Sequence, residues 1–125
     1  EIVVELAPLI PATLGIVTEQ LLRLIRPGGV FVNVGRGAVV DEAALWRIAR
    51  ESRISVGLDV YSTEPLPADS GFRALPRVNL TPHTAGPTID RYPDAGLFAL
   101  QNLRAHVEGR MPEAVVTPEI FDQST

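Results

Sequence analysis

Apolar and polar positions fall into short blocks along the chain, and four β-branched runs are separated by stretches of helical period. Ile2-Val3-Val4-Glu5-Leu6-Ala7 reads as a strand that ends at Pro8, followed by a proline-rich loop through Gly15. Thr18 is placed to cap a helix with Glu19 in its first turn. Leu21, Leu22, Leu24 and Ile25 supply that helix's apolar side, and Pro27-Gly28-Gly29 stops it. Val30 to Val34 is a second strand, apolar enough to be covered on both faces. A tight turn at Gly35-Arg36-Gly37 follows, where two glycines open backbone conformations closed to residues with a Cβ. Asp41 can cap the next helix, in which Ala44, Leu45, Ile48 and Ala49 share one face. Trp46 lies off that stripe and is expected to pack on a neighbouring segment. Ile54 to Tyr61 is a third strand and Val78 to Thr81 a fourth. A last helix is predicted over about 88–109. There Ala95, Ala99, Leu103 and His106 share a face, and Gly109 is the stop. Pro93 is tolerable only in the first turn or at a kink. The segment from Met111 to Thr125, with Pro112 and Pro118, is expected to be an irregular tail.

Strands alternating with helices at this spacing predict an α/β fold with a parallel sheet and right-handed crossovers. In such a sheet the carboxyl ends of all strands share one edge, and ligands bind there. Arg36, Asp59 with Glu64, and His83 each lie just past a strand's carboxyl end. Arg36 offers a planar fork of donors for a carboxylate or phosphate. Read from local sequence alone, it is equally an ordinary surface arginine at a strand-to-helix turn. The same holds for the other polar loop residues taken one at a time.

Composition narrows the classes. The chain has 125 residues, enough for one compact core. Its net charge of -4 comes without a basic block, which argues against a nucleic-acid partner. It contains no cysteine and two histidines far apart in sequence, so neither a disulfide nor a zinc site is expected. No apolar stretch is long enough to span a membrane, and no signal peptide is visible. A cytoplasmic protein is the expectation. The chain starts at Glu1 rather than methionine, directly in a strand, as expected of a piece of something longer.

Three linked segments carry a resemblance. Asn33-Val34-Gly35-Arg36-Gly37-Ala38-Val39-Val40-Asp41-Glu42-Ala43-Ala44-Leu45 resembles the signature of the D-isomer-specific 2-hydroxyacid dehydrogenases. Gly57-Leu58-Asp59-Val60-Tyr61-Ser62-Thr63-Glu64-Pro65-Leu66-Pro67 resembles that family's next signature, and Leu80-Thr81-Pro82-His83-Thr84-Ala85-Gly86 a third. Ala7-Pro8-Leu9 and Thr13 match the loop upstream. The match runs from Glu1 to about Pro118 in the family's order.

The resemblance implies the second half of a Rossmann-like NAD(P)-binding domain over residues 1–87. Residues 88–125 would be a C-terminal helix and tail returning to a substrate domain. It implies NAD or NADP as cofactor, and a small 2-keto or 2-hydroxy acid as substrate. Arg36 would bind the substrate carboxylate and help polarise the keto oxygen. His83 would be the general acid in reduction and general base in oxidation, and Glu64 would orient it and favour imidazolium. Asp59 would sit near the nicotinamide. Pro8, Val34, Gly35 and Gly86 would line the cofactor, which Arg36 and His83 would also contact. Elements of the family's dimer interface are only partly present, and a homodimer is one expectation.

The chain departs from the family at Leu6, where histidine is frequent, at Ile10, where threonine is common, and at Pro93. It contains no GxGxxG turn and no acidic residue following one. The first strand should therefore expose an edge, and the chain alone is expected to hold the cofactor poorly. The alternative to an enzyme is a non-catalytic module, sensing a dinucleotide or pairing with another protein.

Overall fold

The computed structural model describes residues 1–124. Its first unit comprises residues 1–84 with the end of the chain from Gln123. Four parallel strands, β1 (Ile2–Glu5), β2 (Val30–Asn33), β3 (Ser55–Leu58) and β4 (Val78–Leu80), lie side by side in chain order. Glu5 pairs with Asn33, Asn33 with Leu58, and Leu58 with Leu80, so the four carboxyl ends are level. β1 is an edge, and its Ile2 and Val4 are exposed. Every strand is shorter than its apolar run, because pairing stops where the chain turns toward the shared edge.

Helices α1 (Glu19–Leu24) and α2 (Glu42–Arg50) form where the caps allow. The Thr18 hydroxyl accepts from the Leu21 N–H, and the Asp41 carboxylate accepts from the Ala44 N–H at 2.9 Å. On α2 the buried residues are Ala44, Leu45, Ile48 and Ala49, the predicted stripe. They pack with Leu22 of α1 and Ile25 just beyond it against Phe31, Val56 and Leu58 of the sheet. Only the Phe31–Asn33 side of β2 is fully covered; Val30 and Val32 are half-buried. The expectation of a strand covered on both faces thus holds for one face only, since the core this unit forms with α1 and α2 gathers on that side. Trp46 packs on Gly71, in a short 3-10 turn at Gly71–Ala74, and lies under the Arg50 guanidinium at 5.2 Å.

Outside this core, α1 and α2 are clasped by an exposed charge cluster. Arg23 pairs with Glu19 at 2.7 Å and with Glu51 at 3.0 Å, and Arg47 pairs with Glu19 at 2.7 Å. Arg47 and then Arg23 hold the Glu19 carboxyl below its usual range, and Arg23 does the same to Glu51.

The second unit, Ala85–Asp122, holds α3 (Tyr92–Val107) and α4 (Pro118–Phe121). Because α3 starts at Tyr92, Pro93 falls in the first turn, where it removes no helical hydrogen bond. Gly109 follows the helix at φ +70. The buried residue of α3 is Ala105, not the Ala95–Ala99–Leu103 stripe, because the returning chain packs on the helix's other side. Asn102 fixes that return with two bonds, donating to the Glu113 carbonyl and accepting from the Glu113 N–H at 2.8 Å. The tail is not wholly irregular: Thr117 caps α4 by accepting from the Ile120 N–H. Thr117-Pro118 was a readable start signal. No helix among the described residues is long and apolar enough to cross a membrane.

Ile48→Ala should cost about 2–5 kcal/mol in urea denaturation, because Ile48 is fully buried between α2 and the sheet. The clasp predicts a pH dependence as well. Glu19 and Glu51 carry folded pKa values below the ordinary 4.5, so their contribution is complete above that pH and is lost as pH falls through the lowered values. The urea midpoint should drop over this acid range, and Glu19→Gln with Glu51→Gln should flatten the drop.

Candidate active site

The turn after β2 is built by a buried amide. Asn33 is 1 % exposed, and its side chain both accepts from the Gly35 N–H at 3.1 Å and donates to the Arg36 carbonyl at 3.2 Å. The strand end and the turn are thereby locked together. Asn33 was visible as the one polar residue in an apolar run, yet its part in holding the arginine was not assigned from sequence. Arg36 donates from Nη1 to the Gly35 carbonyl at 2.9 Å.

The two glycines beside Arg36 matter for crowding rather than for left-handed backbone, since neither is among the glycines of positive φ. A Cβ on Gly37 would stand 2.0 Å from the Tyr61 carbonyl carbon. A Cβ on Gly35 would stand 2.6 Å from Glu5 Oε2 and 3.1 Å from Leu6 Cα. The arginine turn is thus pressed against the loop after β3 on one side and the end of β1 on the other. Arg36, Gly35, Val34, Pro8 and Ala7 line a crevice of about 420 Å³, with Gln123 and Ser124 on its border. Thr13 braces the loop on the Pro8 side, donating to the Pro8 carbonyl at 2.6 Å and accepting from the Ile10 N–H at 2.9 Å.

His83 and Glu64 meet directly. His83 Nδ1 lies 2.7 Å from Glu64 Oε2, and both side chains are partly exposed. An ionised carboxylate can only accept, so Nδ1 carries the proton and Nε2 is left to act on a ligand. Glu64 Oε1 accepts from the Tyr61 N–H at 3.0 Å, so both carboxylate oxygens are engaged. His83 first and then the Tyr61 N–H hold the Glu64 carboxyl below its usual range. The pair borders a cavity of about 430 Å³ with Tyr61, Pro65, Leu80 and Thr81. Tyr61 seals the base of this cavity. Its hydroxyl donates toward the Thr81 and Leu58 carbonyls, and burial pushes its phenol pKa up.

Asp59 sits beneath the histidine loop and is 3 % exposed. It accepts from the Thr81 hydroxyl and from the Thr84 N–H at 2.8 Å, gripping the chain on both sides of His83. Between those grips His83 adopts φ +55, a left-handed conformation unusual for a non-glycine residue.

Of the residues singled out from sequence, Pro8, Val34, Gly35 and Arg36 share one crevice, and Glu64 and His83 border another. Asp59 serves as the anchor of the His83 loop. No described cavity holds both Arg36 and His83. Gly86 lies in the second unit.

Comparison with known proteins agrees with this architecture. The sequence model described as "D-isomer specific 2-hydroxyacid dehydrogenase, NAD binding domain" matches residues 1–85. Glyoxylate/hydroxypyruvate reductase B of Pectobacterium atrosepticum is 37% identical over 115 residues, covering 91% of this chain and 36% of that protein. Glyoxylate reductase of Aeropyrum pernix is 35% identical, covering 90% of this chain and 34% of its own length. Among solved structures, a D-isomer specific 2-hydroxyacid dehydrogenase from Xanthobacter autotrophicus Py2 in complex with NADPH and MES superposes with a TM-score of 0.81 at 39% identity. That match covers 94% of this chain and 48% of the other. An NADPH-dependent glyoxylate/hydroxypyruvate reductase from Sinorhizobium meliloti, in complex with NADP and sulfate, superposes with a TM-score of 0.81 at 30% identity, covering 92% and 38%. The chain spans roughly a third of the length of the curated relatives it matches. With a level parallel sheet and its polar groups gathered at one edge, the chain belongs to the D-isomer-specific 2-hydroxyacid dehydrogenase family, within whose NAD-binding domain residues 1–85 fall.

Proposed function

We propose that this chain carries the acid–base and carboxylate-binding residues of an NAD(P)-dependent oxidoreductase that interconverts a 2-keto acid and a D-2-hydroxy acid. The observation that carries the reading is the 2.7 Å contact between His83 Nδ1 and Glu64, on a loop held from below by Asp59. Reduction of a 2-keto acid needs a proton for the oxygen, a hydride for the carbon and a cation for the carboxylate. His83 Nε2 delivers the proton in reduction and takes it back in oxidation. Glu64 holds the ring by Nδ1 and balances the charge of the protonated form. Arg36 binds the substrate carboxylate as a fork and draws charge toward the keto oxygen. The names of the relatives point to substrates as small as glyoxylate and hydroxypyruvate.

The crevice is assigned to the cofactor, because Pro8, Val34 and Gly35 line it beside Arg36 at the carboxyl edge of the sheet, where open α/β folds bind dinucleotides. Asp59 acts on the nicotinamide end through the His83 loop. When bound, the nicotinamide supplies or accepts the hydride. Residues 88–125 are read as the helix and tail that lead back to a substrate domain.

A second reading has one observation in its favour, the exposed Ile2 and Val4 on the edge strand β1, which suit pairing with another chain. Arg36→Ala separates the two readings. It should lower turnover by about 10²-fold or more in any form of the protein that reduces a 2-keto acid. It should leave the affinity of a strand-pairing partner unchanged.

Without a GxGxxG turn, the 125 residues alone should hold NADH no tighter than roughly millimolar and show no turnover. Micromolar binding by calorimetry together with reduction of a 2-keto acid would overturn this. In an active form, Glu64→Gln, which loosens the hold on His83 Nδ1, should lower kcat, and His83→Asn should lose about 10²–10⁴-fold in kcat.

A further inference from the structure

The carboxylate that orients His83 stands on a stretch of backbone poor in donors. Glu64 is followed by Pro65, Leu66 and Pro67, and the two prolines have no N–H. The segment offers more carbonyls than it can pair with donors of its own. Upstream, the loop is secured from α2, where the Glu42 carboxylate accepts from the Ser62 N–H at 2.7 Å. Downstream, Arg73 reaches in. It donates from Nε to the Pro67 carbonyl at 2.9 Å and from Nη2 to the Leu66 carbonyl at 2.7 Å. The Ser70 N–H shares the Pro67 carbonyl at 3.1 Å. Burial of the Leu66 side chain seats the segment on the core, and the Arg73 bonds set the orientation of its carbonyls. Glu64 stands midway between the hold at Ser62 and the hold at Leu66.

Arg73 is itself placed by packing. It lies in the 3-10 turn at Gly71–Ala74, whose Phe72 is buried in the core. Gly71 packs so closely on Trp46 of α2 that a Cβ would stand 2.4 Å from Trp46 Nε1. The Arg73 N–H closes back on the Ser70 carbonyl at 3.1 Å. A guanidinium suits the task, because its planar fork presents Nε and Nη2 at a fixed spacing to two successive carbonyls. A lysine ammonium is a single point charge on a flexible stem and cannot reproduce that geometry. Arg73 also borders the cavity of about 430 Å³ that Glu64 and His83 border. It therefore acts beside the pair and not from a remote part of the fold.

We propose that Arg73 is a positioning residue for the Glu64–His83 pair, holding the loop that carries Glu64 so that its Oε2 meets His83 Nδ1. The assignment rests on the reading of His83 as the acid–base residue. Neutral imidazole carries one proton, and the nitrogen opposite that proton is the one able to accept another. Oxidation of a hydroxy acid needs that acceptor at Nε2, so the proton must sit on Nδ1. Glu64 enforces this at 2.7 Å. When the Leu66 and Pro67 carbonyls lose their donors, the loop gains freedom, the contact lengthens, and Nε2–H competes with Nδ1–H.

The test is NMR of the imidazole nitrogens in the 125-residue chain, whose two histidines are His83 and the exposed His106. Nitrogen shifts of the neutral rings give the ratio of Nδ1–H to Nε2–H at each. In the wild type His83 should be mainly Nδ1–H, with His106 as the internal reference. Arg73→Met keeps an apolar stem and removes every donor, and it should lower the His83 ratio about threefold to tenfold. Arg73→Lys keeps the charge without the fork and should fall between the two; it reads the loss by itself if the methionine variant does not fold. Arg77→Met is the control for general loosening, since Arg77 also donates to backbone, at the Ser52 carbonyl, and should leave the ratio unchanged. A wild-type ratio in either folded Arg73 variant overturns the inference, as does an equal fall in Arg77→Met. If wild-type His83 shows the same ratio as His106, the Glu64–His83 pairing behind the proposed function fails as well.

Discussion

The backbone at Gly37 lies so close to the loop after β3 that a Cβ would meet the Tyr61 carbonyl carbon at 2.0 Å. This contact joins the two arms of the site. On one side Gly37 belongs to the arginine turn, which Asn33 ties to the end of β2. On the other, Tyr61 gives its N–H to Glu64, which holds His83 Nδ1, while its hydroxyl bonds to the backbone at Thr81. A larger residue at position 37 would push the turn and the loop apart, and the positions of Arg36 and His83 would change together. Dense packing transmits such a displacement rather than absorbing it.

The polar interior follows from the same geometry. Parallel strands end level, so the chain leaves all of them through one crowded edge where backbone groups lose their ladder partners. Buried side chains take over. Asn33 serves the turn after β2, and Asp59 holds Thr81 and Thr84 around the left-handed His83. Each uses more than one of its hydrogen-bonding positions on local backbone or hydroxyls, which is how buried polar groups are tolerated. Glu5 does so with one oxygen only; its other oxygen is buried against Gly35 without a hydrogen-bond partner among the described residues.

Stability is distributed unevenly across this plan. The first unit has a core in which α2 and the sheet bury Ile48, Phe31, Ile54 and Val56 almost completely. The second unit buries Ala105 and is otherwise tied by polar bonds such as the Asn102–Glu113 pair. Its apolar residues, among them Leu97, Leu103 and Val107, are exposed. The catalytic candidates therefore stand on the rigid part of the chain, on turns whose ends are fixed by the strands.

Much of this was legible from residues alone. Alternation of β-branched runs with helical stripes marked the parallel sheet, and Thr18, Asp41 and Gly109 marked helix ends, because caps and periodicity are local physics. Arg36, Glu64 and His83 could be singled out because three linked motifs accompany them. Other features depended on contacts between distant segments. The crowding that requires glycine at 35 and 37, the grip of Asp59 on both sides of His83, and the single covered face of β2 are properties of how elements approach one another. The unpartnered oxygen of Glu5 is the clearest case. In sequence it was one polar residue at the end of an apolar strand. Only the packing of Leu6, Ala7 and Gly35 around it decided that one oxygen would be paired and the other left without a partner, because desolvation is set by neighbours in space and not in sequence.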